Sequence, residues 1–140
     1  MSTGLHRTAR PWALTSVSLV VKSNDLDPEA VSARLGLQPT AVRLPGPDRW
    51  GPPGEVDGRW RLTCDEQSTR DPAEQLEQIV SAAEGCASQL RSMQSEGPEV
   101  YLEVYGFADH GSQFLVSAPL FSRIAQLGVP LSLTPNLNAR

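Results

Sequence analysis

Two histidines, two cysteines and a scatter of serines and acids are the side chains in this 140-residue chain with the chemistry of bases, nucleophiles or metal ligands. Only His6 and His110 carry an imidazole, and Asp109-His110 stands just before Ser112 and Ser117. That is the nearest approach in the sequence to a base beside a nucleophile. The dipeptide lies in FADHG, however, where Asp and His are ordinary turn formers, and no GxSxG elbow surrounds either serine. Cys64 and Cys86 are far apart, without a CxxC pair or a histidine at ligand spacing. They read as buried thiols in a reducing compartment. The glycines of GPDRWGPPG are separated by proline and open no helix, so they form neither a Walker A loop nor a dinucleotide fingerprint. The acids of NDLD lack the glycine and the distal glutamate of a calcium loop. No cofactor and no metal are expected, and an enzyme is the least favoured class.

The richest stretch is Leu44 to Cys64, LPGPDRWGPPGEVDGRWRLTC, with four Pro, four Gly and two of the three Trp residues. A loop of this length between elements is either functional or disordered. From Arg59 the pattern alternates, putting Trp60, Leu62 and Cys64 on one face and Arg59, Arg61 and Thr63 on the other. Trp60 is therefore expected inward. Trp50 has no such periodic support and is expected either to plug the core edge or to stand exposed as an anchor.

The elements that would position these residues can be read in order. Residues 1–13 are small, polar and basic, the pattern of a flexible tail. TSVSLVVK alternates as a strand with Val17, Leu19 and Val21 on its buried face. Asp27-Pro28-Glu29 opens a short helix that Gly36 and Pro39 end. TAVRL is a weak strand directed parallel to the first. Asp71-Pro72 opens a single long helix to about Met93, with Leu76, Ile79, Val80, Ala83, Cys86, Ala87, Leu90 and Met93 as the main apolar stripe. Gly85 falls on its opposite face. EVYLEVYG alternates again, Ser112 to Val116 is the next strand, Ser117 caps a third helix to Leu127, and Val129 to Thr134 is the last strand. Residues 136–140 read as a second tail, leaving 14–135 as one domain.

Composition sets the remaining bounds. The formal charge is −4, and the cations are Arg apart from the single Lys22. A net negative charge disfavours a nucleic-acid partner, and no apolar window approaches a membrane span. The Arg bias suggests a bacterial source, and without a secretory h-region a cytoplasmic location is expected.

This element order predicts an α+β, ferredoxin-like sandwich: a mixed, mainly antiparallel sheet with three helices on one face. The other face would present Arg59, Arg61, Tyr101, Glu103 and Tyr105, with Lys22 beside them. With Trp50 on the loop, these residues form the candidate interaction surface, because Arg and Tyr are enriched where proteins meet. An ordinary solvated face with cross-strand Arg–Glu pairs would use the same residues.

SVSLVV, DLDPEAVSARLGLQPT, GRWRL, the leucine-spaced helix and PLFSRIAQLGVPLSL, in this order, resemble the bacterial domain of unknown function family 4279 over Ser16 to Leu133. The helix ending in LGLQPT and the Trp60-Arg61-Leu62 strand carry the resemblance. Family members finish in an acidic and aromatic strand where this chain has LSLTPNL. The resemblance implies a fold and no active-site residues. The expected function is a non-enzymatic binding or protein-interaction module, of the immunity type, meeting another protein or a second copy of itself. The alternative is a small-molecule-sensing regulatory domain with its ligand under the loop around Trp50. An enzyme using Asp109 and His110 comes third.

Overall fold

Alternation of β-branched and small polar residues draws Ala13–Ser23 into the longest strand, and the rest of the sheet is laid on both sides of it. The computed structural model describes residues 10–47, 55–65 and 71–137. In chain order the elements are β1 (Arg10–Pro11), β2 (Ala13–Ser23), α1 (Pro28–Leu35), β3 (Ala41–Arg43), β4 (Gly46–Pro47), β5 (Glu55–Val56) and β6 (Gly58–Thr63). Then follow α2 (Pro72–Glu84), α3 (Ala87–Ser95), β7 (Glu99–Phe107), β8 (Ser112–Gln113), α4 (Ala118–Leu127) and β9 (Leu131–Asn136).

The main sheet has the order β3-β6-β2-β7-β9, antiparallel except for the β7–β9 pair, which is parallel. β3 runs in the direction of β2 with β6 between them, which is the split β-α-β crossover of the ferredoxin-like sandwich. The unit α4–β9 extends that arrangement by one strand at the β7 edge. Val17, Leu19 and Val21 of β2, Trp60 of β6 and Val100, Leu102 and Val104 of β7 join the apolar stripes of the four described helices in one buried cluster. The helices therefore share one face of the sheet. Trp60 is fully buried in this layer, and its indole N–H donates to Ser32 Oγ of α1 at 3.0 Å.

Local chemistry explains the helix ends. Asp27 and Asp71 each accept from backbone N–H groups of the first turn, with proline at the first helical position. Ser117 does the same for α4. Gly36 and Gly128 adopt φ of +70° and +74°, the left-handed exit that a Cβ would strain.

Several expectations are corrected. The single long helix is two, α2 and α3, so among the described residues the sheet carries four helices and not three. Gly85 and Cys86 interrupt it: Cys86 N–H bonds to Ala83 O, three residues back, and Cys86 leaves helical geometry at φ −133°. Arg10–Pro11, assigned to the N-terminal tail, pairs in parallel with β8 as a separate two-stranded sheet. The expected strand from Ser112 to Val116 is only Ser112–Gln113 and lies outside the main sheet. The last strand is shifted to Leu131–Asn136, because it takes its register from β7, Leu131 opposite Leu102. Within the Gly/Pro loop, Gly46–Pro47 pairs with Glu55–Val56, while Trp50, the core of that loop, lies outside the described residues, as does His6.

Candidate functional site

The face of the sheet opposite the described helices gathers most of the residues singled out by type and spacing. Strand alternation turns Arg59, Arg61 and Thr63 of β6, Ser16, Ser18, Val20 and Lys22 of β2, and Tyr101, Glu103 and Tyr105 of β7 away from the helices. Register then decides who meets whom. Thr63, Ser18 and Glu103 stand in one cross-strand row, Arg61, Val20 and Tyr101 in the next, and Arg59, Lys22 and Glu99 in a third.

At the centre, Arg61 reaches diagonally across β2 to Glu103 at 2.7 Å and donates to Ser18 Oγ at 3.2 Å. The Ser18 and Thr63 hydroxyls share a hydrogen bond of 2.9 Å. Both side chains of the ion pair are only 20% exposed. Ser18 and Val20 are fully buried although none of the described helices packs on this face. Arg61 stands beside Val20 in register, the position from which the methylenes of a long cation shield apolar surface. Cross-strand Arg–Glu pairing on this face was one of the sequence expectations, but nothing in the composition marked Ser18 and Thr63 as members of the network. The register was needed, since Ser18 looks like a solvent-side residue in a half-buried strand.

Towards the β9 edge the face becomes aromatic. Tyr105 packs edge-on against Phe107 at 6.4 Å, and its hydroxyl accepts from Asn136 Nδ2 at 3.1 Å. Tyr105 remains 38% exposed on an anchored ring. The structure thus places Arg59, Arg61, Tyr101, Glu103 and Tyr105 on one surface.

The other chemically suggestive residues are dispersed. Asp109 and His110 are exposed in the turn after β7, with Gly111 at φ +81°. Ser112 Oγ donates to Asp109 O at 2.7 Å, and Ser117 Oγ accepts from Leu120 N–H. Among the described residues no hydrogen bond joins the imidazole to either serine. Cys64 and Cys86 are buried thiols and are not bonded to each other. Burial pushes the Cys86 thiol above its usual range, which disfavours the nucleophilic thiolate. Among the described residues no three His, Cys, Asp or Glu side chains group as metal ligands, and no helix is long and apolar enough to cross a membrane.

A cleft of about 450 Å³ opens at the lower corner of the same face, where β7 begins before β9 has joined it. Tyr101, Glu103, Glu99, Pro98, Pro130 and Ser132 line it. That a proline stands near the start of the last strand, where a missing N–H is tolerated, was plain in the sequence. What it leaves open opposite β7 was not.

The family model for a domain of unknown function, DUF4279, matches residues 13–138. The chain belongs to that family. The match runs through β9, so the final strand is inside the family domain although its LSLTPNL sequence departs from the acidic and aromatic strand expected there. Searches of curated proteins and of solved structures gave no significant match.

Proposed function

We propose that this DUF4279 domain is a non-enzymatic binding module that contacts another protein, or a second copy of itself, through the open face of its sheet. One observation carries the reading: the face opposite the described helices holds Arg61, Glu103 and Tyr105 already fixed, by the Arg61–Glu103–Ser18 network and by the Tyr105–Phe107–Asn136 contacts. Groups held in one geometry before association lose less conformational freedom on binding, and Tyr and Arg are the side chains that most often anchor an interface. An immunity-type role would use such a face against a toxin partner, in the bacterial cytoplasm.

The test compares wild type with Arg61→Glu and Tyr105→Ala, first by light scattering for self-association and then by affinity capture from the source cell. Loss of self-association or of a captured partner in both variants supports the reading. A strictly monomeric protein whose captured set is unchanged by either substitution removes it. The corner cleft favours a second reading, a domain that senses a small molecule. A metabolite that raises the melting temperature of wild type but not of Tyr101→Ala would establish it, because a ligand bound only to the folded state must stabilise it.

A further inference from the structure

The corner cleft is a gap in a β-ladder. Leu102 N–H bonds to Pro130 O at 2.9 Å, which fixes the even-numbered residues of β7 as those whose N–H and C=O point toward β9. Val100 has the same parity, two residues earlier. Its side chain is buried in the helix-side core, yet Val100 lines the cleft, as its backbone must if its polar groups face the missing neighbour. Continuing the parallel ladder would require a donor from residue 130 to Val100 C=O, and Pro130 has no N–H. The Gly128 carbonyl, the acceptor that Val100 N–H would take next, receives Gln94 Nε2 at 3.2 Å. Among the described residues the ladder starts at Leu102, and no backbone bond satisfies Val100 on this side.

The walls around that donor and acceptor have a definite sign. Glu99, Tyr101 and Glu103 alternate along β7 on the open face, so two carboxylates flank one aromatic ring. Glu103 meets Arg61 through Oε1, leaving Oε2 outside that contact. Glu99 lies opposite Lys22 in register, yet it forms no ion pair among the described residues. Pro98 and Pro130 supply apolar walls that suit the methylene stem of a long side chain.

We propose that the cleft is the docking site for a short extended peptide segment of a partner protein carrying an Arg or Lys side chain. The segment adds to the β7 edge by exchanging backbone hydrogen bonds with Val100, and its cation lies against Tyr101 between Glu99 and Glu103. Strand addition supplies the affinity of such a contact and the side-chain pocket its selectivity. The inference rests on the reading of the domain as a protein-binding module and names the chemistry of one contact.

The experiment titrates isotope-labelled protein with acetyl-Thr-Val-Arg-Val-Thr-amide, the same peptide with Glu for Arg, a version N-methylated at both valines, and arginine amide alone. Expected are amide shifts at residues 99–103 and slowed hydrogen exchange at Val100 with the Arg peptide. Binding should be weaker by about tenfold or more for the Glu and N-methylated peptides, and for the Glu99→Gln and Ser132→Arg proteins. Shifts absent from residues 99–103, or equal binding of the Glu peptide, overturn the proposal. Arginine amide binding as tightly as the peptide overturns the strand-addition part and leaves a site for small cations. If the peptides fail while Arg61→Glu and Tyr105→Ala still abolish capture of a partner, this inference falls alone and the binding-module reading stands. If the peptides bind while those variants change nothing, the broad open face is not the contact surface and the cleft is.

Discussion

Trp60 is the residue on which both layers of the sandwich depend. It occupies the inward phase of β6, has no solvent exposure, and ties the sheet to α1 through its indole N–H. Two substitutions separate its contributions. Trp60→Ala should cost about 3–5 kcal/mol by removing a fully buried aromatic and leaving a void that close packing cannot fill. Trp60→Phe keeps most of the volume and deletes the hydrogen bond to Ser32, for a cost of about 1–2 kcal/mol including the smaller ring. Urea denaturation of the three proteins measures both. Equal losses for Phe and Ala would mean that the hydrogen bond, and not the packing, dominates at this position. The same residue scale governs the open face: Arg61 keeps its charge half-buried because Glu103 and Ser18 face it, so its position owes as much to internal satisfaction as to any partner.

At the scale of elements, the break between α2 and α3 is the feature with the clearest handle. Gly85 has ordinary right-handed helical geometry, φ −66°, and a Cβ built there would meet only Ala82 O at 3.4 Å, ordinary contact. Glycine therefore costs entropy at this position without a steric reason for its presence. Gly85→Ala should raise stability by about 0.5–1 kcal/mol, a few degrees in Tm, read by calorimetry. Gly58, at the start of β6, should respond in the opposite sense. A Cβ there would come within 2.8 Å of Leu26 Cβ and of Pro45 Cδ, so Gly58→Ala should destabilise by about 1–3 kcal/mol through overpacking. If both alanine variants shift stability the same way, steric room is not what distinguishes the two glycines. These elements also show what could be read in advance. The caps at Asp27, Asp71 and Ser117, the exits at Gly36 and Gly128, and the inward phase of Trp60 depend on neighbours in sequence and were legible. The open-face network and the cleft depend on register between strands far apart in the chain, Ser18 beside Thr63 and Glu103, Leu102 beside Leu131, and no local pattern encodes that register.

For the molecule as a whole, the helix layer is tied together by two arginines that cross between elements. Arg34 of α1 grips Glu96 at the end of α3 through both terminal guanidinium nitrogens, and Arg123 of α4 bonds Glu84 at 2.9 Å and Glu77 at 3.4 Å on α2. The hydrogen bonds from the guanidinium groups, reinforced by their charge and opposed by partial desolvation, hold Glu84 and Glu96 below the usual carboxylate range. A carboxylate whose pKa is lower folded than unfolded stabilises the fold above its unfolded value, about 4.3, and loses that contribution as the pH falls through the folded value. The arginines, shifted upward, lose nothing in the same window. All four groups are solvent-exposed and their pairs are screened, so the contribution is small and salt-dependent. The expected outcome is a urea midpoint that falls more steeply between about pH 5 and pH 3 in wild type than in a Glu84→Gln, Glu96→Gln double variant. Added salt should narrow the difference at neutral pH, where both pairs are formed. Parallel acid limbs for the two proteins would show that the helix layer is held by its apolar stripes alone, with these pairs acting as surface decoration and the acid sensitivity residing in other carboxylates.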